Sequence, residues 1–342
     1  MANQDQALEI GVLLHTAGLT GDGVAKPDLA PLWEQTMLVE DCGYASAWVG
    51  DSSRTETAWP RADCISIMTA MAMMTSTLKI GTVPLSVPLR NPVLLAHALA
   101  TVDVIANGRL EIGASIGKSG AMGEQEYVAC GVPQSERGPR LTEALQLIRC
   151  LLSEETVEFS GKFYSLLGET GIRPMPIQRP LPLYVCANGA EAGFKRVGRY
   201  GDGWFTTAKD PTVFAAYRSK VDYYAREAGR EGAVDKTSLF AAFHIGPDGE
   251  QAREDADRHL TAYFGGHHQS GASAGFFGSP EEIADRLQTM VDGGLTSVVA
   301  RIVSGDLEGQ ATLLLGEVLP RLTPRPLGSR LEPAAVAALA AQ

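Results

Sequence analysis

Short apolar runs alternate with amphipathic segments along the whole chain, one strand-length run to each helix-length segment. The runs are "LEIGVLL" (8–14), "YASAWVG" (44–50), "LKIGTVPL" (78–85), "RLEIGAS" (109–115), "LPLYVCANG" (181–189), "GDGWFTT" (201–207), "SLFAAFHIG" (238–246) and "TSVVARIV" (296–303). Strands buried on both faces read in this way. Between them, "LAPLWEQTMLVEDCG" (29–43) predicts a helix with Gly43 near its C-terminus, and "CISIMTAMAMMT" (64–75) an apolar helix. "NPVLLAHALATVDVIANG" (91–108) predicts a third, with Asn91 as N-cap and Pro92 at its first position. Further helices are predicted within 135–154 and at 211–230, 250–264, 280–292 and 307–321, and "VEFSGKFYSL" (157–166) reads as a hairpin insertion.

Eight apolar strands interleaved with helices predict an α/β fold, a (β/α)8 TIM barrel with inserted loops and a hairpin insertion. An open doubly wound sheet is the alternative. It fits less well, because the long loop "LLHTAGLTGDG" follows the first strand where a glycine fingerprint would be expected. Residues 1–323 are expected to form one barrel domain, and 324–342 an Ala-rich tail or terminal helix.

The net charge of −11 argues against general affinity for nucleic acid or an anionic membrane. Five cysteines, odd in number and without metal-ligand spacing, read as reduced thiols, and no metal site is expected. The N-terminus lacks the pattern of a signal peptide, and no run reaches membrane-helix length, so a cytoplasmic protein is expected.

In such a barrel, chemistry sits at the C-terminal ends of the strands. Those ends present His15, then Asp51 to Arg54 in "WVGDSSRTE", then Val83 and Pro84, Ser115, Asn188 to Ala190, Trp204 and His244. Pro84 lies inside an otherwise good strand, and a barrel has no edge to receive a proline. Two readings follow: the strand ends at Val83, or a bulge with a cis Val83–Pro84 bond interrupts it. The small residues of "CANGAEAGF" expose helix N-terminal amides suited to a phosphate. His267 and His268, in the Gly- and Ser-rich run 264–275, read as part of a lid loop or as solvated loop residues. His97 and His259 fall within helices and read as packing or surface residues.

Several stretches together resemble the bacterial luciferase-like monooxygenase superfamily of flavin- or deazaflavin (coenzyme F-420)-dependent oxidoreductases. They are "LRNPVLLAHALATVDVIANGRLEIGASIG" (89–117), "GVPQSERGPRLTEAL", "RPMPIQRPLPLYVCANG", "GRYGDGWF" and "FGSPEEIADRLQTMVDGGLTSVVARI". The resemblance implies a homodimeric barrel whose third strand carries a cis-peptide bulge behind the cofactor ring. By position that bond is Val83–Pro84. It also implies that Asn188, Gly189 and Ala190 hold the cofactor phosphate and that Ser115 approaches the ring. Many relatives place histidine after the acid at the second strand end, where this chain has Ser52. Some carry a phosphate-binding arginine at the position of Ile116, where Lys118 is a nearby substitute.

The expected catalytic set is Asp51, Ser52, Ser115 and His15, with Val83, Pro84, Ser115, Asn188, Gly189 and Ala190 on the cofactor. Arg54, Trp204, His244 and His267 are expected to meet an organic small-molecule substrate. The leading expectation is a monooxygenase using reduced FMN, served by a flavin reductase as partner. Coenzyme F-420-dependent hydride transfer is the alternative, and a non-catalytic luciferase-like partner subunit is the third reading.

Overall fold

Each of the eight apolar runs contains a strand in the computed structural model, which describes residues 5–16, 28–52, 61–264, 274–326 and 334. The strands are β1 (Glu9–Leu14), β2 (Ser46–Val49), β3 (Lys79–Ser86), β4 (Leu110–Ser115), β5 (Leu183–Cys186), β6 (Gly203–Thr206), β7 (Lys236–Ile245) and β9 (Ser297–Ile302). A further short strand, β8 (Gly275–Gly278), precedes the last. The hydrogen-bonded order is β9-β1-β2-β3-β4-β5-β6-β7-β8, and β9 also pairs with β7. The chain is therefore a closed, eight-stranded parallel β/α barrel, as the alternation predicts.

β8 was not legible in the sequence. It has four residues with glycine at both ends, and it follows the Gly/Ser-rich run read as loop. It pairs with Ala242–Ile245, beyond the Lys236–Leu239 stretch of β7 that pairs with β6. β9 pairs with Ser238–Phe243. Because Phe243 has both partners, β8 lies on the β6 side of β7 and lengthens the wall at that strand's C-terminal end.

The helices are α1 (Ala30–Asp41), α2 (Cys64–Met74), α3 (Pro92–Ile105), α4 (Ala121–Ala129), α5 (Arg137–Ser153), α6 (Glu191–Tyr200), α7 (Pro211–Glu227), α8 (Gly249–Phe264), α9 (Pro280–Asp292) and α10 (Leu307–Leu313). Asn91 caps α3 as expected, its Oδ1 accepting from the amides of Val93 and Leu94 at 2.9 and 3.3 Å. The predicted hairpin is present as antiparallel bridges Val157–Thr170 and Ser160–Ser165. It is held to α5 by the Glu143 carboxylate, which accepts three backbone amides, from Lys162, Phe163 and Tyr164. Of the tail, Arg325–Pro326 pairs with Asp5–Gln6; the Ala-rich helix expected there lies outside the described residues, residue 334 apart.

The sequence predicts one domain, and the chain forms two compact units, each built from discontinuous segments. Unit one comprises residues 1–13, 38–46 and 187–342; unit two comprises 14–37 and 47–186. In unit one, Trp204 stacks on Phe214 with centroids 5.3 Å apart, and Phe243 on Phe276 at 4.9 Å. In unit two, Arg109 at the start of β4 donates to the carbonyls of Ala72, Thr75 and Leu78 and to the Thr75 hydroxyl, fixing that strand to the end of α2. All five cysteines are free thiols.

The interior of unit two is set by a glycine. Trp48 is buried against Gly81, where an added Cβ would lie 2.4 Å from the indole. The same indole meets Tyr184 edge-on at 6.2 Å, and the Tyr184 hydroxyl donates to Glu111 at 3.4 Å. Gly81→Ala is therefore expected to cost about 1–3 kcal/mol through overpacking. Urea denaturation would show a lowered midpoint at unchanged slope, and an unchanged midpoint would refute the packing argument.

Candidate active site

In unit two the ends of β2 and β3 are tied by one carboxylate. Asp51, two residues past β2, accepts the Ser86 amide at 3.0 Å on one oxygen and the Arg90 guanidinium at 2.8 Å on the other. Arg90 reaches further, to Asp63 at 3.3 Å, the N-cap of α2. The Asp51 side chain is 7% exposed and that of Arg90 28%. Burial disfavours the Arg90 charge, but the field of Asp51, reinforced by Cys64 and Asp63, outweighs it and holds the guanidinium pKa above its ordinary value. Two carboxylates thus converge on one arginine, and the Ser86 amide joins the network through Asp51. The arrangement positions backbone; it leaves Asp51 no free oxygen for chemistry of its own.

That clamp lies directly beyond a bulge. Thr82 pairs with Ile112 and Leu85 with Ala114, so three steps along β3 match two along β4. The extra residue falls at Val83–Pro84, whose peptide bond is cis. Val83 is buried, whereas Pro84 is exposed although the residues on either side are buried. A flat apolar ring is left uncovered inside a strand.

Ser52, 7% exposed, donates to Glu126 on α4 at 3.5 Å, and Glu126 is 4% exposed. With Asp51, Arg61, Arg90 and Cys130 they line a cavity of about 190 Å³. That volume is too small for a tricyclic ring but admits a few waters or one small polar group. Ser115 lies opposite Ser86 in the β3–β4 register, and its Oγ accepts the Gly117 amide at 3.1 Å. The Tyr127 hydroxyl donates to the Ile116 carbonyl and secures the same turn. His15 is half-buried, and the neighbouring Thr16 hydroxyl accepts the Ala62 amide at 3.2 Å.

In unit one the turn after β5 is built by Asn188, whose side-chain oxygen accepts from the Thr206 hydroxyl at 2.9 Å and the Thr207 amide at 2.8 Å. Gly189 takes φ +82°, a conformation that favours glycine. Ala190 stands at the N-cap of α6 with no side-chain cap, and residues 188–190 are exposed. The first amides of α6 thus face solvent without a side-chain acceptor from the cap, the arrangement an anion uses. Trp204, expected on a substrate wall, is instead completely buried. Its indole donates to the Ala187 carbonyl at 2.9 Å, so it packs β6 against α7. His244 is half-buried, with Nδ1 2.7 Å from the Val303 carbonyl. Arg54 and His267 lie outside the described residues.

Sequence reasoning missed Arg90 and Glu126. Arg90 stood in view within "LRNP", but nothing local ties it to an aspartate thirty-nine residues earlier. Glu126 sits on α4, whose mixed composition gave no helical signal.

Two outcomes follow. Asp51→Ala should destabilise the fold by about 2 kcal/mol, below the usual cost of breaking a buried pair because Arg90 is partly exposed and retains Asp63; chemical denaturation measures it, and a change under about 0.5 kcal/mol would contradict it. Asn188→Ala removes two hydrogen bonds at an exposed turn and should cost about 1 kcal/mol. Faster amide exchange confined to residues 206–208 would identify the turn as the part that loosens.

The family description "Luciferase-like monooxygenase" matches residues 8–276. A coenzyme F-420-dependent glucose-6-phosphate dehydrogenase of Kineococcus radiotolerans is 30% identical over 317 residues, covering 83% of this chain and 90% of that protein. An uncharacterised protein of Mycobacterium tuberculosis is 31% identical over 170 residues, and the alignment spans only 58% of that relative's length. Among solved structures, the coenzyme F-420-dependent tetrahydromethanopterin reductase of Methanopyrus kandleri superposes with a TM-score of 0.73 at 20% identity, covering 93% of this chain and all of that one. The FMN complex of the oxygenating component of 3,6-diketocamphane monooxygenase from Pseudomonas putida gives 0.72 at 13%, covering 94% and 100%. At such identities the structural likeness establishes the barrel fold, while the profile match and the near-full-length sequence relative establish kinship: the chain belongs to the luciferase-like monooxygenase family.

Proposed function

We propose that the protein is an oxidoreductase that uses the deazaflavin coenzyme F-420 for hydride transfer to or from an organic small molecule. The observation that carries the cofactor assignment is the bulge of β3, which leaves the Pro84 ring exposed between buried neighbours. A flat apolar surface of that kind suits the back of a tricyclic ring system. The uncapped turn 188–190 suits the phosphate of the same class of cofactor. The choice of deazaflavin over FMN leans on sequence. The relative aligned over 90% of its length is coenzyme F-420-dependent, whereas the FMN protein shares only the fold. This reverses the order in which sequence patterns alone rank the two cofactors.

When bound, a deazaflavin accepts or supplies a hydride and does not activate oxygen. The chain's own residues then have separable tasks. Val83 and Pro84 support the ring. Asp51 and Arg90 are positioning residues that hold the strand end carrying that support. Ser115 borders the ring, and Asn188, Gly189 and Ala190 hold the phosphate. Ser52 and Glu126 line the small cavity and can hold a proton exchanged with a substrate hydroxyl or carbonyl, taking the place of the histidine found in many relatives. A cytoplasmic homodimer completes the reading. Among the described residues no helix is long and apolar enough to cross a membrane.

The second reading is a monooxygenase using reduced FMN with a flavin reductase as partner. Ser52 at the histidine position favours it, since placing a substrate beside a reactive cofactor does not require a side-chain base. Fluorescence titration of the purified chain with coenzyme F-420 and with reduced and oxidised FMN separates the two. Affinity for coenzyme F-420 should exceed that for either FMN form at least tenfold, about 1.4 kcal/mol. The reverse order would establish the monooxygenase reading, and binding of neither would favour a non-catalytic subunit.

A further inference from the structure

The turn assigned to the cofactor phosphate sits beside a tyrosine with no other task. Tyr217 of α7 tilts against Phe194 of α6, with ring centroids 5.1 Å apart. Its hydroxyl lies against Gly189, where an added Cβ would stand 3.2 Å from the phenolic oxygen. Glycine therefore answers two demands at this position, the φ of +82° and the close approach of the phenol. Tyr217 is half-buried, and its hydroxyl has no hydrogen-bond partner among the described residues. The amides of Gly193 and Phe194 turn back to the Ala190 carbonyl at 2.9 and 3.4 Å. Those of Glu191 and Ala192 have no acceptor among the described residues. One neutral hydroxyl and two amides are thus the donors at this corner.

Charge reaches the same corner from one acid and two lysines. Glu191, the first residue of α6, pairs with Lys220 of α7 at 3.3 Å and accepts the Tyr224 hydroxyl. The Lys195 ammonium, one turn along α6, lies over the Tyr224 ring at 5.4 Å, and that of Lys220 over the Phe194 ring at 5.6 Å. Hydrogen bonds from Tyr224 and Lys220, with the fields of both lysines, hold the Glu191 carboxyl below its ordinary pKa, so it stays ionised. Glu191 cancels one lysine, and the three groups keep a single net positive charge. The α6 dipole adds a fraction of another. Such a corner compensates one negative charge. A second charge on the same ligand would lose water without gaining a counter-ion, and it would repel Glu191.

We propose that Glu191 and Tyr217 set the charge this turn accepts, selecting a singly charged phosphodiester over a doubly charged phosphate monoester. Coenzyme F-420 carries its phosphate as a diester and FMN carries its own as a monoester. The phosphate corner therefore discriminates between the two cofactors independently of their rings. Tyr217 donates to the phosphate, whereas Glu191 is a positioning residue that acts by neutralising Lys220. The inference rests on the cofactor reading for placing a phosphate at residues 188–190 and adds the selectivity of that site.

Calorimetric titration of the full-length chain tests it with three ligands in each ring series, deazaflavin and flavin. The ligands are the phosphate-free form, its phosphate monoester and the methyl ester of that phosphate, so the ring is constant within a series. At about pH 8 the monoester carries two charges, and the methyl ester should bind about fivefold more tightly in low salt. Added salt should close that gap. Glu191→Gln should abolish or reverse the preference, and Lys220→Met placed beside it should bring the preference back, because the net charge of the corner returns to one. Tyr217→Phe should weaken both esters roughly tenfold and leave the phosphate-free form within about twofold. Tighter binding of the monoester by the unaltered chain, or a preference unchanged in Glu191→Gln, would overturn the selectivity. An equal loss of the phosphate-free form in Tyr217→Phe would overturn the role of Tyr217. Binding by neither ring series would remove the cofactor reading together with this inference, whereas a ring that binds without discriminating between the esters would remove the inference alone.

Discussion

The carboxylate of Asp51 is the constraint on which unit two is arranged. One of its oxygens is held by the Ser86 amide and the other by Arg90, so the end of β2 cannot shift without moving the segment that follows the β3 bulge. Arg90 extends the tie to Asp63 and the start of α2. A bulge interrupts ladder hydrogen bonds and gives a strand freedom to bend. The clamp removes that freedom at the one point where β3 leaves a proline uncovered. Desolvating such a pair is costly, and its net contribution to stability is modest. Its value is positional: it fixes the strand end that follows the uncovered Pro84.

The architecture was legible because burial on both faces writes itself locally. Eight apolar runs of strand length need no long-range knowledge to recognise, and all eight are strands. The conflict between Pro84 and its strand was also local, which is why the bulge and cis bond could be anticipated as one of two readings. What could not be read were relations between distant positions. Asp51 looked like a group aimed at a ligand because its partners, an amide and an arginine thirty-five and thirty-nine residues later, are joined to it only by the fold. Trp204 looked like a pocket wall because its apolar run was read as reaching a strand end, yet it lies at the second position of β6, fully buried between Phe194 of α6 and Phe214 of α7. β8 escaped notice because a four-residue strand bounded by glycines has no period to detect.

The two units carry different kinds of chemistry. Unit two offers an uncovered flat surface at Pro84 and, in Ser52 with Glu126, a hydroxyl and a buried carboxylate. Unit one offers cations and uncapped amides, the means of holding anionic groups. On the proposed reading the cofactor supplies the reactivity, and the protein supplies orientation and exclusion of water.

The central claim is that the Asp51–Arg90 bond holds the cofactor platform in shape, and a double-mutant cycle read out as coenzyme F-420 affinity addresses it most directly. Asp51→Asn and Arg90→Leu should each weaken binding, and the double variant should bind no more weakly than the worse single one, because either change releases the same strand end. Losses that simply add, or affinity that survives both substitutions, would contradict the account.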